Sequence, residues 1–319
     1  MKRKIFLTLA LCLVVALAGC GKNTGKTSSN KEDISIIDNE EGVTFTDSLG
    51  RELTVTKAER VVTLLGSFCD EWMAAGGSVV GTASDTFTSY DFDFDENVAN
   101  TGSNLKPDVE TIINLEPDLV IASSKLDGQV EIKETLENAG ITVAYFNVDN
   151  FEDYSKTMEI FTKITGRSDL YTQNVTEVKE TIDEAKNQVD GRKPKVLLIR
   201  AAASSVKVKT STGTVAGEIL KDLDTVNIAD SNSSLEDLSM EAIILEDPDY
   251  IFVTVQGSDV DAALENVNEL LISNPAWSTL TAVKNNNYYV LDKMLYNAKP
   301  NARWGEAYQG LADIIYPND

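Results

Sequence analysis

Twelve residues, Glu110-Thr111-Ile112-Ile113-Asn114-Leu115-Glu116-Pro117-Asp118-Leu119-Val120-Ile121, return 131 positions later as Glu241-Ala242-Ile243-Ile244-Leu245-Glu246-Asp247-Pro248-Asp249-Tyr250-Ile251-Phe252. The leading glutamate, the paired isoleucines, Pro-Asp and the apolar run keep the same spacing in both. Proline cannot continue a helix and Pro-Asp favours a turn, so the unit predicts a short helix that closes and feeds a buried strand. A chain carrying this unit twice is expected to build two lobes of like construction. The two glutamates fall in the first helical turn. There an acid complements the helix dipole by ~0.3–1 kcal/mol. A matched pair of exposed acids would equally suit a two-fold partner offering arginines. The repeat alone leaves both readings open.

Around each copy, short apolar runs alternate with helical patterns, which predicts an α/β fold with mainly parallel, buried sheets. In the first half the predicted strands are Val61–Leu64, Val79–Gly81, Leu119–Ile121 and Ile141–Ala144, with helices near 69–75, 107–115 and 130–138. In the second half they are Val196–Ile199, Val206–Lys209, Tyr250–Val253 and Tyr288–Leu291, with helices near 215–223, 240–245, 260–271 and 304–315. A hairpin opens the body: Val43–Thr46, the turn Asp47-Ser48-Leu49-Gly50-Arg51, then Leu53–Val55. Between the halves, Tyr171, Val175, Val178, Ile182, Ala185 and Val189 mark one face of a long helix from Ser168, as N-cap, to a stop at Gly191. At 1.5 Å per residue it would reach roughly 30 Å, enough for a strut between lobes.

The start of the chain has another character. Lys2, Arg3 and Lys4 precede an apolar run from Ile5 to Leu17, which is shorter than the ~20 residues of an ordinary membrane-spanning helix. It has the make-up of a secretory signal. Its ending, Leu17-Ala18-Gly19-Cys20, resembles a bacterial lipobox, which implies lipidation of Cys20 and anchoring to the outer face of the cell membrane. The expected division is therefore a signal over 1–19, a lipidated Cys20 and polar tether over 20–42, a first lobe over 43–167, a connecting helix over 168–190 and a second lobe over 191–319. With the leader removed and Cys20 acylated, Cys69 is the remaining thiol, so no internal disulfide is expected. The chain has no histidine and a formal net charge of −23. Such acidity disfavours nucleic acid and anionic lipid surfaces as partners. The missing histidines disfavour zinc or copper sites, and no cofactor or protein-held metal is expected.

In order along the chain, the Asp47–Arg51 hairpin, Arg60-Val61-Val62, Pro107-Asp108-Val109-Glu110 with Glu116-Pro117-Asp118, Met240-Glu241 with Asp247-Pro248-Asp249, and the tail Lys299-Pro300-Asn301-Ala302-Arg303-Trp304 stand behind the lipobox-like start. Together they resemble the class III substrate-binding lipoproteins of ABC importers, from about Val43 to Pro317. The resemblance implies two Rossmann-like lobes joined by one rigid helix and a monomeric binding protein that is not an enzyme. It implies a small-molecule ligand (ferric siderophore first, haem second, corrinoid third) delivered to a permease dimer with a cytoplasmic ATPase. It also implies docking on that permease through Glu110 and Glu241.

Ligand contacts in such a fold come from strand ends and the loops after them. That makes Phe68, Lys125, Arg200, Tyr296, Lys299, Arg303 and Trp304 the candidates. Cations suit carboxylate, catecholate or propionate groups and aromatics suit a flat apolar face. Each has a plainer reading: Phe68 and Trp304 as core, Lys125 as a solvated charge, Arg303 as the partner of Glu306 one turn on. Arg200 is the most informative, since a charge at the end of an apolar strand needs a partner or water. Two rival functions remain at this point. An extracytoplasmic enzyme such as a glycosidase could use paired acids, although no Gly-x-Ser-x-Gly elbow, phosphate loop or histidine base is present. A non-transport adhesin lipoprotein is the other.

Overall fold

The computed structural model describes residues 36–39, 42–231 and 239–317. The expected signal segment and Cys20 lie outside the described residues. The body opens with a three-stranded antiparallel sheet, β1 (Ile37–Asn39), β2 (Gly42–Thr46) and β3 (Glu52–Val55). Residues 37–39 were expected in the tether, but they pair with β2 instead. Backbone hydrogen bonding to an open strand edge places a polar segment that hydrophobic patterning cannot. The turn after β2 is tied by the buried Asp47, whose carboxylate accepts from the amides of Leu49 (2.9 Å) and Arg51 (3.0 Å).

The first lobe holds a five-stranded, fully parallel sheet in the order β10-β9-β4-β5-β6. Its strands are β4 (Val61–Thr63), β5 (Gly81–Thr82), β6 (Ala99–Asn100), β9 (Leu119–Ser123) and β10 (Thr142–Phe146). A two-stranded ribbon, β7 (Gly102–Ser103) with β8 (Lys106–Pro107), lies between β6 and β9 in sequence. The helices are α1 (Gly66–Ala74), α2 (Ser84–Ser89), α3 (Val109–Asn114), α4 (Asp127–Glu131), α5 (Lys133–Asn138) and α6 (Phe151–Thr165). Sequence patterning did not foresee α6. Its buried positions, Tyr154, Thr157, Met158, Ile160, Phe161 and Thr162, mix aromatics and threonines with the aliphatics that usually signal a helical face. The usable signals were its ends: Asn150 caps the amide of Asp153, and Gly166 closes the helix at φ 70°.

A connector follows: α7 (Ser168–Tyr171), a π-helical turn over Thr172–Thr176, then α8 (Glu177–Lys186). Val175, Ile182 and Ala185 are buried, and Tyr171, Val178 and Val189 pack partly against the same core. Ser168 is the first helical residue rather than the cap.

The second lobe has the order β12-β11-β14-β15, with β13 (Val226–Asn227) beside β11. β11 (Lys195–Ala202), β14 (Tyr250–Val255) and β15 (Tyr288–Val290) are parallel, whereas β12 (Ser205–Lys209) returns antiparallel to β11. Its helices are α9 (Val215–Asp222), α10 (Met240–Glu246), α11 (Val260–Val267), α12 (Thr281–Lys284), α13 (Lys293–Tyr296) and α14 (Trp304–Ile315). α14 packs along α8. One apolar cluster runs through both lobes, from Phe146 and Phe161 to Leu198, Phe252 and Trp304.

The repeat seen in sequence is a repeat in space. Each copy has a capped helix: Asp108 accepts from the amide of Thr111, and Ser239 from that of Ala242. Each passes through a left-handed residue before proline, Glu116 at φ 47° and Asp247 at φ 43°. Proline disfavours the α region for its predecessor, so the helix must end there. The Pro-Asp carboxylate then grips the start of the neighbouring strand: Asp118 accepts from the amides of Glu59 (3.1 Å) and Arg60 (3.0 Å), and Asp249 from that of Lys195 (2.8 Å). A cation closes each unit. Arg60 donates to the carbonyl of Leu115 (2.5 Å), and Lys195 to that of Glu246 (2.9 Å).

Candidate functional site: the interlobe cleft

The lobes face each other across a cleft of about 600 Å³. Leu65, Ser67, Asp85, Tyr90, Ser123, Lys125 and Asp149 line its first-lobe wall. Gly213, Gln256, Lys293, Asn297 and Lys299 line the other. A side chamber of about 80 Å³, sharing Asp149, Gly213, Asn297 and Lys299 with the cleft, reaches Arg200, Thr214, Thr254 and Tyr296. Most of the wall residues follow strand ends or begin the next helix, where a parallel sheet opens toward a ligand.

Arg200 stands inside β11 rather than at its end, because the strand runs on to Ala202 through its pairing with β12. Among the described residues its guanidinium has no carboxylate partner, and burial lowers its pKa. Lys299 is half-buried, with its ammonium 5.2 Å from the centre of the Phe68 ring. Burial lowers its pKa, against the attraction of Glu71, Asp149 and Asp85. Lys125 is exposed and 3.9 Å from Asp149, a loose pair. Tyr296 is buried, donates to the carbonyl of Ala307 (3.1 Å), and has its phenol pushed up to about 12 by burial.

Three candidates are placed away from the cleft surface. Phe68 is fully buried in the first turn of α1, which begins at Gly66, earlier than patterning suggested; it meets Phe146 edge-on at 6.2 Å. Trp304 is fully buried against Phe151 and Tyr308. Arg303 turns outward and forms a two-pronged pair with Glu306, 2.7 Å at each prong. Each follows from helix geometry: two of these residues face inward, and the third meets an acid one turn away. Cys69 is buried, and burial raises its thiol to about 11, the state of an inert small hydrophobe.

Several wall residues had escaped the sequence reading. Tyr90 lines the cleft, its ring close enough to Gly66 that a Cβ there would lie 2.7 Å from it. Phe92 stacks on it at 5.8 Å, and Phe94 and Phe87 follow in tilted contacts at 5.1 and 5.5 Å. The alternation Tyr90-Asp91-Phe92-Asp93-Phe94-Asp95 was the available signal, but it resembles an ordinary exposed strand. Asp85 accepts from the amide of Gly66 (2.9 Å), and burial raises its pKa. Beneath the cleft, Asn301 crosses between lobes, donating to the Ser67 carbonyl (2.8 Å) and to Asp70 (2.7 Å). Glu110 and Glu241 are both exposed, in the first turns of α3 and α10.

Residues 62–295 match the model of a family described as periplasmic binding protein. The chain belongs to that family. This binding protein is 28% identical to an uncharacterized ABC transporter substrate-binding lipoprotein, YvrC, of Bacillus subtilis, over 100% of this chain and 99% of that one. It is 26% identical to the Fe(3+)-citrate-binding protein YfmC of the same organism, over 89% and 87% respectively. Among solved structures, the haem complex of IsdE from S. aureus superposes with a TM-score of 0.66 at 18% identity, covering 82% of this chain and 100% of that one. At that identity the likeness speaks for fold alone: a class III binding-protein architecture of two α/β lobes. The protein is thus a substrate-binding component of an ABC importer, whose partners are a permease with its ATPase and a small molecule, and not an enzyme.

Proposed function

We propose that this binding protein captures an anionic iron chelate in the interlobe cleft and hands it to its permease by docking through Glu110 and Glu241. The carrying observation is the charge of the cleft. In a chain of net charge −23, the charged residues that line the cleft and its chamber are, among the described residues, Arg200, Lys125, Lys293 and Lys299 against Asp85 and Asp149. A pocket lined mainly by cations focuses the field and concentrates an anionic ligand within it. With no histidine in the chain, the iron's own chelator is the natural source of its ligands. A ferric siderophore therefore ranks first, haem second and a corrinoid third. The Fe(3+)-citrate in the name of YfmC supports an iron complex as the ligand. Lipidation at Cys20 would hold the protein on the outer face of the cell membrane, where such ligands arrive.

The test is a thermal-shift and tryptophan-quenching series on the soluble body with ferric citrate, ferric hydroxamates, ferric catecholates, haem and cobalamin. One iron complex is expected to stabilise the fold, by ~2.7 kcal/mol at a hundredfold excess over Kd. Iron-free chelators should not. Stabilisation by cobalamin alone would overturn the iron reading. For docking, Glu110→Arg combined with Glu241→Arg is expected to abolish uptake in cells while leaving ligand affinity as it was. Unimpaired uptake would remove the assigned role of the two acids.

A further inference from the structure

The hairpin of β11 and β12 carries a feature that capture of a chelate does not by itself require. Arg200 lies directly opposite Lys207, and Lys209 opposite Leu198. Directly opposed residues of an antiparallel pair point to the same face, so Arg200, Lys207 and Lys209 form one basic row. Like charges directly opposed destabilise a sheet. Lys209, one step along the row, has its pKa lowered by burial first and by Arg200 and Lys207 beside it. None of the three has an acidic partner among the described residues, although the chain holds 51 acids to 28 bases. Most other described lysines sit beside a carboxylate, as Lys156 does with Glu152 and Lys186 with Asp222. The row is half-buried at Arg200 and leads into the 80 Å³ side chamber with Thr214, Thr254 and Lys299. That volume is about the share of two or three waters, a size suited to a carboxylate group.

We propose that the ligand carries at least one free carboxylate arm besides the groups that hold its metal, and that Arg200 takes this arm in the side chamber while Lys207 and Lys209 draw it there. This rests on the reading of the cleft as an iron-chelate site and narrows it. A planar guanidinium can hold a carboxylate through two parallel hydrogen bonds, whereas an ammonium acts as a point charge. Arg200 is therefore the geometric anchor, and the two lysines supply longer-range attraction. Two kinds of ligand have the required chemistry, a ferric polycarboxylate and a haem with its propionates. A neutral ferric trihydroxamate, with every acidic group spent on iron, does not.

The experiment measures Kd for ferric citrate, haem and a neutral ferric trihydroxamate at low and high salt. The wild-type protein, Lys207→Gln combined with Lys209→Gln, and Arg200→Gln are compared, with the melting midpoint recorded for each. The wild type is expected to bind ferric citrate or haem at least tenfold more tightly than the trihydroxamate, and whichever of the two binds identifies the source of the carboxylate. The double lysine variant should lose about tenfold for that ligand, and its affinity should depend less on salt. Arg200→Gln should lose more. Trihydroxamate affinity should not move with the lysines. Preference for the trihydroxamate, or an unchanged Kd and salt slope in a folded double variant, overturns the carboxylate proposal and leaves the iron-chelate reading standing. Failure of both ferric citrate and haem to bind overturns the carboxylate proposal, and failure of the ferric hydroxamates and catecholates as well overturns the iron-chelate reading with it.

Discussion

The two lobes share a framework and differ at an edge. In both, a capped helix, a left-handed residue before proline and an aspartate that grips the neighbouring strand set the central pair, β4 with β9 and β11 with β14. Beyond that pair the lobes part. The first lobe continues with the parallel strand β5 and the second turns back with the antiparallel β12. The parallel continuation brings α2, with Asp85, and Tyr90 to the cleft. The hairpin brings a basic row. The repeated part thus supplies a platform, and the unlike edges add different groups to it: Asp85 and Tyr90 on the first-lobe wall, Arg200 in the side chamber of the other.

The comparison can be broken most forcefully through the core. One apolar cluster spans both lobes, so the lobes are expected to unfold together. Phe161→Ala, which removes a fully buried ring packed edge-on at 5.3 Å from Trp72 and 5.0 Å from Phe146, should cost ~3–5 kcal/mol. It should shift one denaturant transition for probes in either lobe. Two separated transitions would mean that the lobes are independent units. The matched aspartates sharpen the comparison at the next level. Asp118 holds two amides and Asp249 one, so Asp118→Ala should cost more than Asp249→Ala, within the ~1–3 kcal/mol of an orphaned donor. Equal losses in urea melts would show that the second amide contributes nothing.

The smallest effect concerns the floor between the lobes. Glu71 is fully buried, and burial raises its pKa well above the ordinary 4.5. Below that value the carboxyl is protonated in both the folded and the unfolded chain. As pH rises through 4.5 the unfolded chain loses the proton first, so this group's contribution to stability falls with rising pH. Glu71→Gln should therefore raise the melting midpoint near pH 7 and leave it nearly unchanged near pH 4. A rise of equal size at both pH values would remove burial of the acid as the cause.

Much of this was legible in the chain. The repeat gave two lobes because proline and Pro-Asp act locally and leave a fixed signature. α14 was read at its observed bounds, Trp304–Ile315, since its apolar face is regular. α6 was not read, because its inward face mixes threonine with aromatics. β1 was missed because strand pairing, not its own residues, makes it a strand. At the site, Lys125, Arg200, Tyr296 and Lys299 do line the cleft or its chamber. Phe68, Arg303 and Trp304 do not, since a rotation of 100° per residue decides which side of a helix faces a groove.

By itself the sequence determined the α/β class, the duplicated unit, and an acidic chain with no histidine to hold a metal. These follow from local chemistry: turn residues, periodicity and charge. Only the tertiary structure decided that four cations converge on one cleft and that Arg200 faces Lys207 across a hairpin. It also decided that Asn301 ties the lobes together beneath the cleft. Those facts depend on which strands pair and which faces meet, and contacts between residues distant in the chain set both.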